Sequence, residues 1–291
     1  MDNHTNDVST PEELSFTIGT SVFAAQAWGK DDGIPIIALH GWLDNSASFF
    51  AIAPQLKNAR IVAIDMAGHG RSDHRQGNAP YNIWEDVAEI FAIADQLGWQ
   101  KFGLLGHSRG GIIAAIVAGT FAERVTHLGL IEGLLPEPAY AADAPKQLAL
   151  SITGIKTQTS KPMSLYSDMA SAISSRERGM FPLSHRAAKV LTERGVKKVE
   201  KGFQWSTDQR LLAPSAVKFS PEQIAAFLGR ITAPVQLVCG DDGILKQFSV
   251  YKTELDKYPH IPVVSLPGGH HLHMEEQADD VASIFNTFFH E

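Results

Sequence analysis

The sequence predicts an α/β fold organised around one mostly parallel sheet, and three observations point to it. Short, almost unbroken apolar runs recur along the chain, as expected of strands that are covered on both faces. Stretches with helical periodicity lie between these runs. The 291 residues, 44% of them hydrophobic, are enough for one large domain with a sizeable core or for two smaller domains.

The predicted strands fall into two groups. Residues 14–18 and 22–28 alternate loosely around Gly19 and Thr20, which predicts an antiparallel hairpin near the N-terminus. Six short apolar runs are then predicted to be parallel strands, at residues 34–39, 61–64, 102–105, 128–131, 235–239 and 263–266.

Two helices have clear start signals. Residues 83–97 carry apolar side chains on one helical face, and Asn82 with Glu85 forms a capping pattern at the start. The Ser-Pro-Glu-Gln sequence at residues 220–223 precedes a second predicted helix, 223–230. Because crossovers between parallel strands are right-handed, we expect helices on both faces of the sheet.

The alternation of strands and helices stops between residues 134 and 219. This segment lacks a convincing parallel-strand run, is rich in proline, and contains helical patches such as 184–193. We therefore expect residues 1–133 and 220–291 to form the core and residues 134–219 to form an inserted helical cap.

The predicted cap and the rest of the chain differ in charge. Residues 136–219 contain 13 Lys and Arg against 7 Asp and Glu, whereas the whole chain has a formal net charge of −7. Solvated helix faces are the simpler explanation for a basic cap. The alternative is a lid that attracts acidic substrates or an anionic surface.

Composition argues against several classes of protein. A net charge of −7 disfavours a nucleic-acid binder, and no apolar run approaches the ~20 residues needed for stable membrane insertion. The opening residues, MDNHTNDVST, lack the features of a secretory signal, and the single Cys239 permits no internal disulfide. We therefore expect a cytoplasmic protein.

The strongest chemical signal is the G-x-S-x-G pattern at residues 106–110, centred on Ser108. It follows a predicted buried strand and precedes an apolar helix, which is the setting of a nucleophile elbow. Gly106 and Gly110 remove Cβ atoms where strand and helix approach, which lets Ser108 adopt a strained turn and expose its hydroxyl.

A serine hydroxyl is a poor nucleophile unless a base takes its proton. His270 is the predicted base, because it follows the strand at 263–266, where the carboxyl edge of a parallel sheet presents side chains to a ligand. His271 and His273 are expected to have surface or packing roles. A metal site in this histidine-rich segment is conceivable, but no paired acidic or cysteine ligands accompany it, so we expect neither metal nor cofactor.

The base needs a carboxylate that holds its tautomer, and three residues are candidates. Asp242, after the strand at 235–239, is the first choice, because its loop is expected to face that of His270. Glu132, at the end of an earlier strand, is the second choice, and Asp241 is the third.

Acyl transfer also develops an oxyanion that backbone N–H groups can stabilise. The N–H of Arg109, directly after the nucleophile, is the first predicted donor. The second is the N–H of Trp42, in the His40-Gly41-Trp42 loop after the strand at 34–39. The Trp42 indole is expected either to line an acyl pocket or to pack on the core.

Four motifs together resemble the α/β-hydrolase superfamily with a helical cap. They are HGW at 40–42, DMAGHGRSD at 65–73, GHSRGG at 106–111 and GGHHLHME at 268–275. The resemblance extends over about residues 14–289, and GFQWSTDQRL at 202–211 and the GDDG loop are similar to the serine-hydrolase-like subgroup. It implies an eight-stranded, mostly parallel sheet, a cap over the pocket, and a triad of Ser108, His270 and an acid. By the same resemblance, residues 65–73 are a structural turn beside the site.

Two positions depart from the family pattern. Many relatives place the acid three residues after a glycine, where this chain has Gly243, and some capped relatives take it from the earlier strand that ends at Glu132. Arg109 stands where a methionine is frequent. Because burying an unpaired charge is costly, its side chain is expected to reach solvent or a partner. With the basic cap, it also hints at an anionic group in the substrate.

These residues predict a serine hydrolase that cleaves carboxylic esters, thioesters or lactones, with Ser108 as nucleophile, His270 as base and Asp242 orienting the base. The expected partner is a small-molecule ester-type substrate, and the charge pattern favours anionic or short polar acyl groups. Carbon–carbon bond hydrolysis on the same triad and a non-catalytic binding role are the alternatives. No oligomeric state is predicted.

Overall fold

The computed structural model describes residues 10–291, so the expectation about a secretory signal, which rests on the opening residues, lies outside the described part. Eight of the strands form one sheet, and two form a separate antiparallel pair. In chain order they are β1 (Glu12–Ile18), β2 (Ser21–Trp28), β3 (Ile34–Leu39), β4 (Ala59–Ile64), β5 (Phe102–His107), β6 (Val125–Ile131), β7 (Val196–Val199), β8 (Gly202–Trp205), β9 (Val235–Gly240) and β10 (Val263–Leu266).

The main sheet has the order β1-β2-β4-β3-β5-β6-β9-β10. β2 pairs antiparallel with both of its neighbours, β1 and β4, whereas all other neighbours in the sheet are parallel. The predicted N-terminal hairpin and the predicted eight-stranded, mostly parallel sheet are therefore confirmed.

Helices pack on both faces of this sheet, and further helices lie in the segment predicted to be the cap. They are α1 (Ile83–Gln96), α2 (Arg109–Thr120), α3 (Ala144–Thr159), α4 (Met169–Glu177), α5 (His185–Gly195), α6 (Pro221–Leu228), α7 (Ile244–Gln247), α8 (Ser249–Leu255) and α9 (Ala278–Phe288). Successive residues of β5 point to opposite faces: Leu104 packs in one buried cluster with Ile113 of α2, and Leu105 packs in another with Phe285 of α9. None of the helices in residues 10–291 is long and apolar enough to cross a membrane.

The predicted cap segment contains a structure that the sequence did not predict. Besides α3, α4 and α5, residues 134–219 form the antiparallel pair β7–β8. Each of these strands has only four residues, and Lys197 and Lys198 are exposed, so neither strand carries the apolar run by which buried strands are recognised. The division of the chain into core and cap stays a prediction.

The arrangement of the parallel strands determines where a site can form. β5, β6 and β9 are adjacent and parallel, so the segments that follow their carboxyl ends emerge at one edge of the sheet. Ser108 follows β5, Glu132 follows β6, and residues 241–243 follow β9. In parallel α/β sheets this is the edge where ligands bind.

Candidate active site

Ser108 lies on a sharp turn between β5 and α2, with φ 52° and ψ −119°. Non-glycine residues rarely adopt positive φ values, so this backbone is strained. Two glycines make the turn possible: a Cβ on Gly106 would lie 2.5 Å from the Cα of Gly111, and one on Gly110 would lie 2.0 Å from the carbonyl oxygen of Leu39. The geometry is that of a nucleophile elbow.

The imidazole of His270 contacts this serine. His270 Nε2 lies 3.0 Å from Ser108 Oγ, and the opposite nitrogen, Nδ1, lies 3.2 Å from Glu132 Oε2. An ionised carboxylate only accepts hydrogen bonds, so Nδ1 carries the proton and Nε2 is free to accept one from the serine hydroxyl. The loop that carries His270 follows β10 and buries the ring almost completely.

Glu132 is buried and held in place by the backbone. Its carboxylate accepts hydrogen bonds from the N–H groups of Gly240, at 2.8 Å, and Ile244, at 2.6 Å. Its own backbone has φ 54°, a second strained position at the same edge of the sheet. A buried carboxylate fixed in this way can orient an imidazole and stabilise the imidazolium form.

The preference for Asp242 as the acid is corrected by this geometry. The Asp242 side chain is exposed, and Asp241 is exposed and paired with Lys246, whereas the carboxylate that contacts His270 Nδ1 is that of Glu132. The physical reason lies at residue 243, because a Cβ there would be 2.1 Å from Glu132 Oε1. The Glu132 carboxylate thus occupies the space that a side chain after β9 would fill, and only glycine leaves room for it.

The two predicted oxyanion donors follow β3 and β5. Neither the Trp42 N–H nor the Arg109 N–H donates to a protein acceptor within residues 10–291, which leaves both free for a ligand. The N–H of Arg109 is also at the first position of α2, where the helix dipole favours negative charge. The Trp42 indole lines the cavity and donates from Nε1 to the carbonyl oxygen of Leu211, at 2.9 Å.

The side chain of Arg109 turns away from the cavity. Its Nη2 lies 2.7 Å from Asp86 Oδ2 in α1, and Asp86 also pairs with Arg75. The partner expected for the Arg109 guanidinium is therefore a carboxylate of the protein itself, that of Asp86. Arg109 consequently gives no support to an anionic substrate group.

A cluster of buried histidines lies beside the His270 ring, and the sequence did not predict it. His107 and His273 are fully buried and His271 almost so, although a surface role was one of the two expected for His271 and His273. Burial lowers the pKa of all three rings. No sequence pattern marks them, because their burial depends on segments that are distant in the chain.

Asp44 links this cluster to α4. Its Oδ2 lies 3.3 Å from His271 Nε2, and its Oδ1 lies 2.7 Å from Arg176 Nη2. Burial by itself would raise the pKa of Asp44, but His271 and Arg176 outweigh it and hold that pKa well below its ordinary value. The carboxylate is therefore ionised at neutral pH.

A cavity of about 750 Å³ opens next to Ser108 and His270. Its apolar lining comes from both the predicted core and the predicted cap, and includes Trp42, Leu43, Met163, Met180, Phe181, Trp205, Leu212, Ile244, Phe248, Val250 and Tyr251. Phe181 covers the His270 ring, with 4.5 Å between the ring centroids. The volume is in the range of small-molecule binding sites.

Comparisons with known proteins identify a family and several relatives of this chain. The sequence profile of the family described as "alpha/beta hydrolase fold" matches residues 34–277. A serine hydrolase-like protein of Danio rerio is 30% identical over 90% of this chain and 83% of its own length. Serine hydrolase-like protein 2 of Homo sapiens is 28% identical over 95% of this chain and 93% of its own length.

Two of the similar solved structures match almost the whole chain. A hypothetical protein from Pseudomonas aeruginosa PAO1 is 38% identical, with a TM-score of 0.91 over 96% of this chain and 100% of its own. A thioesterase domain from the curacin biosynthetic pathway is 25% identical, with a TM-score of 0.80 over 97% of this chain and 100% of its own.

Proposed function

The chain belongs to the α/β-hydrolase fold family, as its motifs predict, and on that premise we propose that it is a serine hydrolase of carboxylic esters or thioesters. The observation that carries the proposal is the 3.0 Å contact between Ser108 Oγ and His270 Nε2, with Glu132 on the other side of the ring. Nucleophile, base and orienting carboxylate are thus aligned for acyl transfer.

In the proposed reaction, Ser108 Oγ attacks the carbonyl carbon of the substrate while its proton passes to His270 Nε2. The resulting oxyanion accepts hydrogen bonds from the N–H groups of Trp42 and Arg109. Such donors typically lower the barrier by about 3–4 kcal/mol each. Glu132 stabilises the imidazolium without taking its proton.

The tetrahedral intermediate collapses when the proton on His270 Nε2 moves to the leaving oxygen or sulfur, and the alcohol or thiol departs. A water molecule then attacks the carbonyl carbon of the acyl group on Ser108 and gives one proton to His270 Nε2, which forms a second tetrahedral intermediate. Collapse of this second intermediate releases the carboxylic acid and returns the proton to Ser108 Oγ. Every step uses protein groups and water.

The cavity lining supports an apolar acyl group. Most charged lining side chains belong to ion pairs, namely Asp44–Arg176, Asp208–Arg210 and Glu137–Lys218. Lys161, exposed at the rim, is the charged lining residue without a carboxylate partner in the described part of the chain. We therefore propose medium-length or long apolar acyl chains in place of the short polar ones that the charge pattern favoured.

An ester panel of graded acyl length tests both parts of this proposal. Each methylene buried in the cavity contributes about 0.8 kcal/mol, so kcat/KM should rise by up to about fourfold per added carbon until the cavity is full. Hydrolysis that is independent of chain length, or fastest for acetyl and carboxylate-bearing esters, would contradict the apolar acyl site while leaving the hydrolase intact.

Ser108→Ala is the corresponding test of the chemistry. We expect it to lower kcat by several orders of magnitude, up to about a millionfold, with an unchanged thermal unfolding curve. Ser283→Ala, an exposed position on α9, is the matched control and should keep wild-type turnover. Equal turnover in the two variants would exclude the mechanism. A carbon–carbon bond hydrolase on the same triad would leave the whole ester panel uncleaved.

A further inference from the structure

Three histidine rings converge at the catalytic edge of the sheet, and only His270 has a role in the proposed reaction. One ring nitrogen from each of His107, His270 and His271 lies within 4.8 Å of the corresponding atoms of the other two. The ring centroids are 4.7 to 5.1 Å apart. All three side chains are buried.

Each ring is held by an oxygen acceptor on one side. His107 Nε2 lies 2.9 Å from the carbonyl oxygen of His270, and His271 Nε2 lies 3.3 Å from Asp44 Oδ2. Carbonyl and carboxylate oxygens only accept, so both Nε2 atoms carry the proton. His270 is held in the same way through Nδ1, which faces Glu132 at 3.2 Å.

The opposite nitrogen of each ring therefore presents a lone pair. For His270 this atom is Nε2, which accepts from the serine hydroxyl. For His107 and His271 it is Nδ1, and in both residues this buried atom has no hydrogen-bond partner within residues 10–291. His107 Nδ1 and His271 Nδ1 are therefore buried acceptors without a donor, and the third acceptor of the cluster, His270 Nε2, has only the serine hydroxyl as its donor.

This arrangement is that of histidines that bind a metal ion. A metal-ligating imidazole almost always donates its outer N–H to a carboxylate or a backbone carbonyl, which fixes the tautomer that ligates. All three rings meet that condition here. Neutral imidazole suits Zn²⁺ and its neighbours among the divalent transition metals.

The distances are within reach of coordination. Zn–N bonds of about 2.0–2.1 Å in a tetrahedral site place the ligand nitrogens about 3.4 Å apart, so the three rings must turn or move closer together for their free nitrogens to share one ion. Asp44, His270 and His271 all line the active-site cavity, which gives an ion a route to the rings.

We propose that His107, His270 and His271 form an inhibitory site for a divalent transition-metal ion such as Zn²⁺. His270 Nε2 cannot hold a metal ion and accept the proton of Ser108 at the same time, so occupancy should stop hydrolysis and a chelator should restore it. The inhibition rests on the proposed function, whereas the binding of metal does not.

The test is a calorimetric titration of chelator-treated protein with ZnCl₂, and it needs no substrate. The wild-type chain should bind one Zn²⁺ at this site, and His271→Gln should weaken the Kd at least about tenfold. His185→Gln is the matched control, because His185 also pairs with a carboxylate, Glu177, but is exposed and is not one of the three clustered histidines. Its affinity should equal that of the wild type. Co²⁺ should give the visible absorption bands of a tetrahedral site in the wild-type and control proteins only.

Three outcomes would overturn the proposal: no stoichiometric binding to the wild-type chain, equal affinity in His271→Gln, or stoichiometric binding that leaves ester hydrolysis unaffected. If His271→Gln does not fold, His107→Gln tests the same ligand set. Absence of ester hydrolysis in the metal-free wild type would contradict the proposed function and leave the binding result to stand by itself.

Discussion

At the scale of the residue, the carboxylate beside His270 can be tested by replacing each candidate in turn. Glu132→Gln keeps the shape of the side chain but removes the charge that stabilises the imidazolium, so we expect kcat to fall on the order of 10³–10⁴-fold. Asp242→Asn changes an exposed side chain and should stay near wild-type turnover. Steady-state kinetics on a single ester separates the two, and a larger loss in Asp242→Asn would refute the assignment of Glu132.

A rescue experiment follows from the space that Glu132 occupies. Gly243 has φ −84° and ψ 171°, a conformation that aspartate adopts readily at the start of a helix. In a Glu132→Gly background, Gly243→Asp should therefore place a carboxylate near His270 and recover at least about tenfold in kcat. Gly243→Asp alone should be harmful, because its Cβ would meet the Glu132 carboxylate. A double variant whose kcat is no higher than that of Glu132→Gly alone would contradict this account.

The residues of the site differ in how far the sequence could predict their positions. The turn at Ser108 is encoded locally, since its glycines and its flanking strand and helix are contiguous in the chain. The contact between Glu132 and His270 joins residues 138 positions apart and depends on the order β6-β9-β10 in the sheet, which no local pattern gives. For the same reason the sequence ranked Asp242 above Glu132.

At the scale of the element, a buried ion pair attaches α5 to the turn after β4. Arg194 Nε lies 2.9 Å from Asp65 Oδ2, and the side chains are 3% and 0% exposed. Arg194→Met would leave the Asp65 charge buried without its cation, so we expect the free energy of unfolding to fall by about 3–5 kcal/mol.

Urea unfolding of a matched pair checks this expectation. Lys189→Met lies on the same helix, but its ion pair with Glu193 is exposed, so its effect should stay within about 0.5 kcal/mol. Similar losses in the two variants would mean that the buried pair does not hold α5 in place.

The same scale explains which elements could be predicted. Helices begin at Ile83 and Pro221, as predicted from the residues before them. Ser220 and Gln223 form a capping box with both hydrogen bonds, whereas at the other helix only Glu85 accepts, from the N–H of Asn82. Both signals lie within four consecutive residues, so they can be recognised without knowledge of the tertiary fold. β7 and β8 carry no such signal and form only by pairing with each other.

At the scale of the whole molecule, buried histidines should make stability depend on pH. Burial lowers the pKa of His40, and burial together with the neighbouring His40 lowers that of His69 well below its ordinary value. The unfolded chain therefore binds protons near pH 6.5 that the folded chain does not. The free energy of unfolding should have its full value above about pH 6.5 and should decrease as the pH falls below 6.5.

Each such histidine adds up to about 1.4 kcal/mol per pH unit to the slope of this decrease. His69→Gln should reduce the slope by about one proton, measured from urea midpoints at several pH values between about 7.5 and 5.5. His290→Gln, which retains both buried rings, should keep the wild-type slope. An identical slope in wild type and His69→Gln would show that His69 is not buried in its neutral form.

The central claim, that Ser108 is activated by His270, is tested most directly by labelling with a fluorophosphonate probe followed by mass spectrometry of the digested protein. The probe reacts with a serine whose proton is taken by a neighbouring base, and it requires no knowledge of the substrate. We predict a single label on Ser108 that is lost in His270→Ala. No label on the folded wild-type chain, or a label that persists without His270, would contradict the claim.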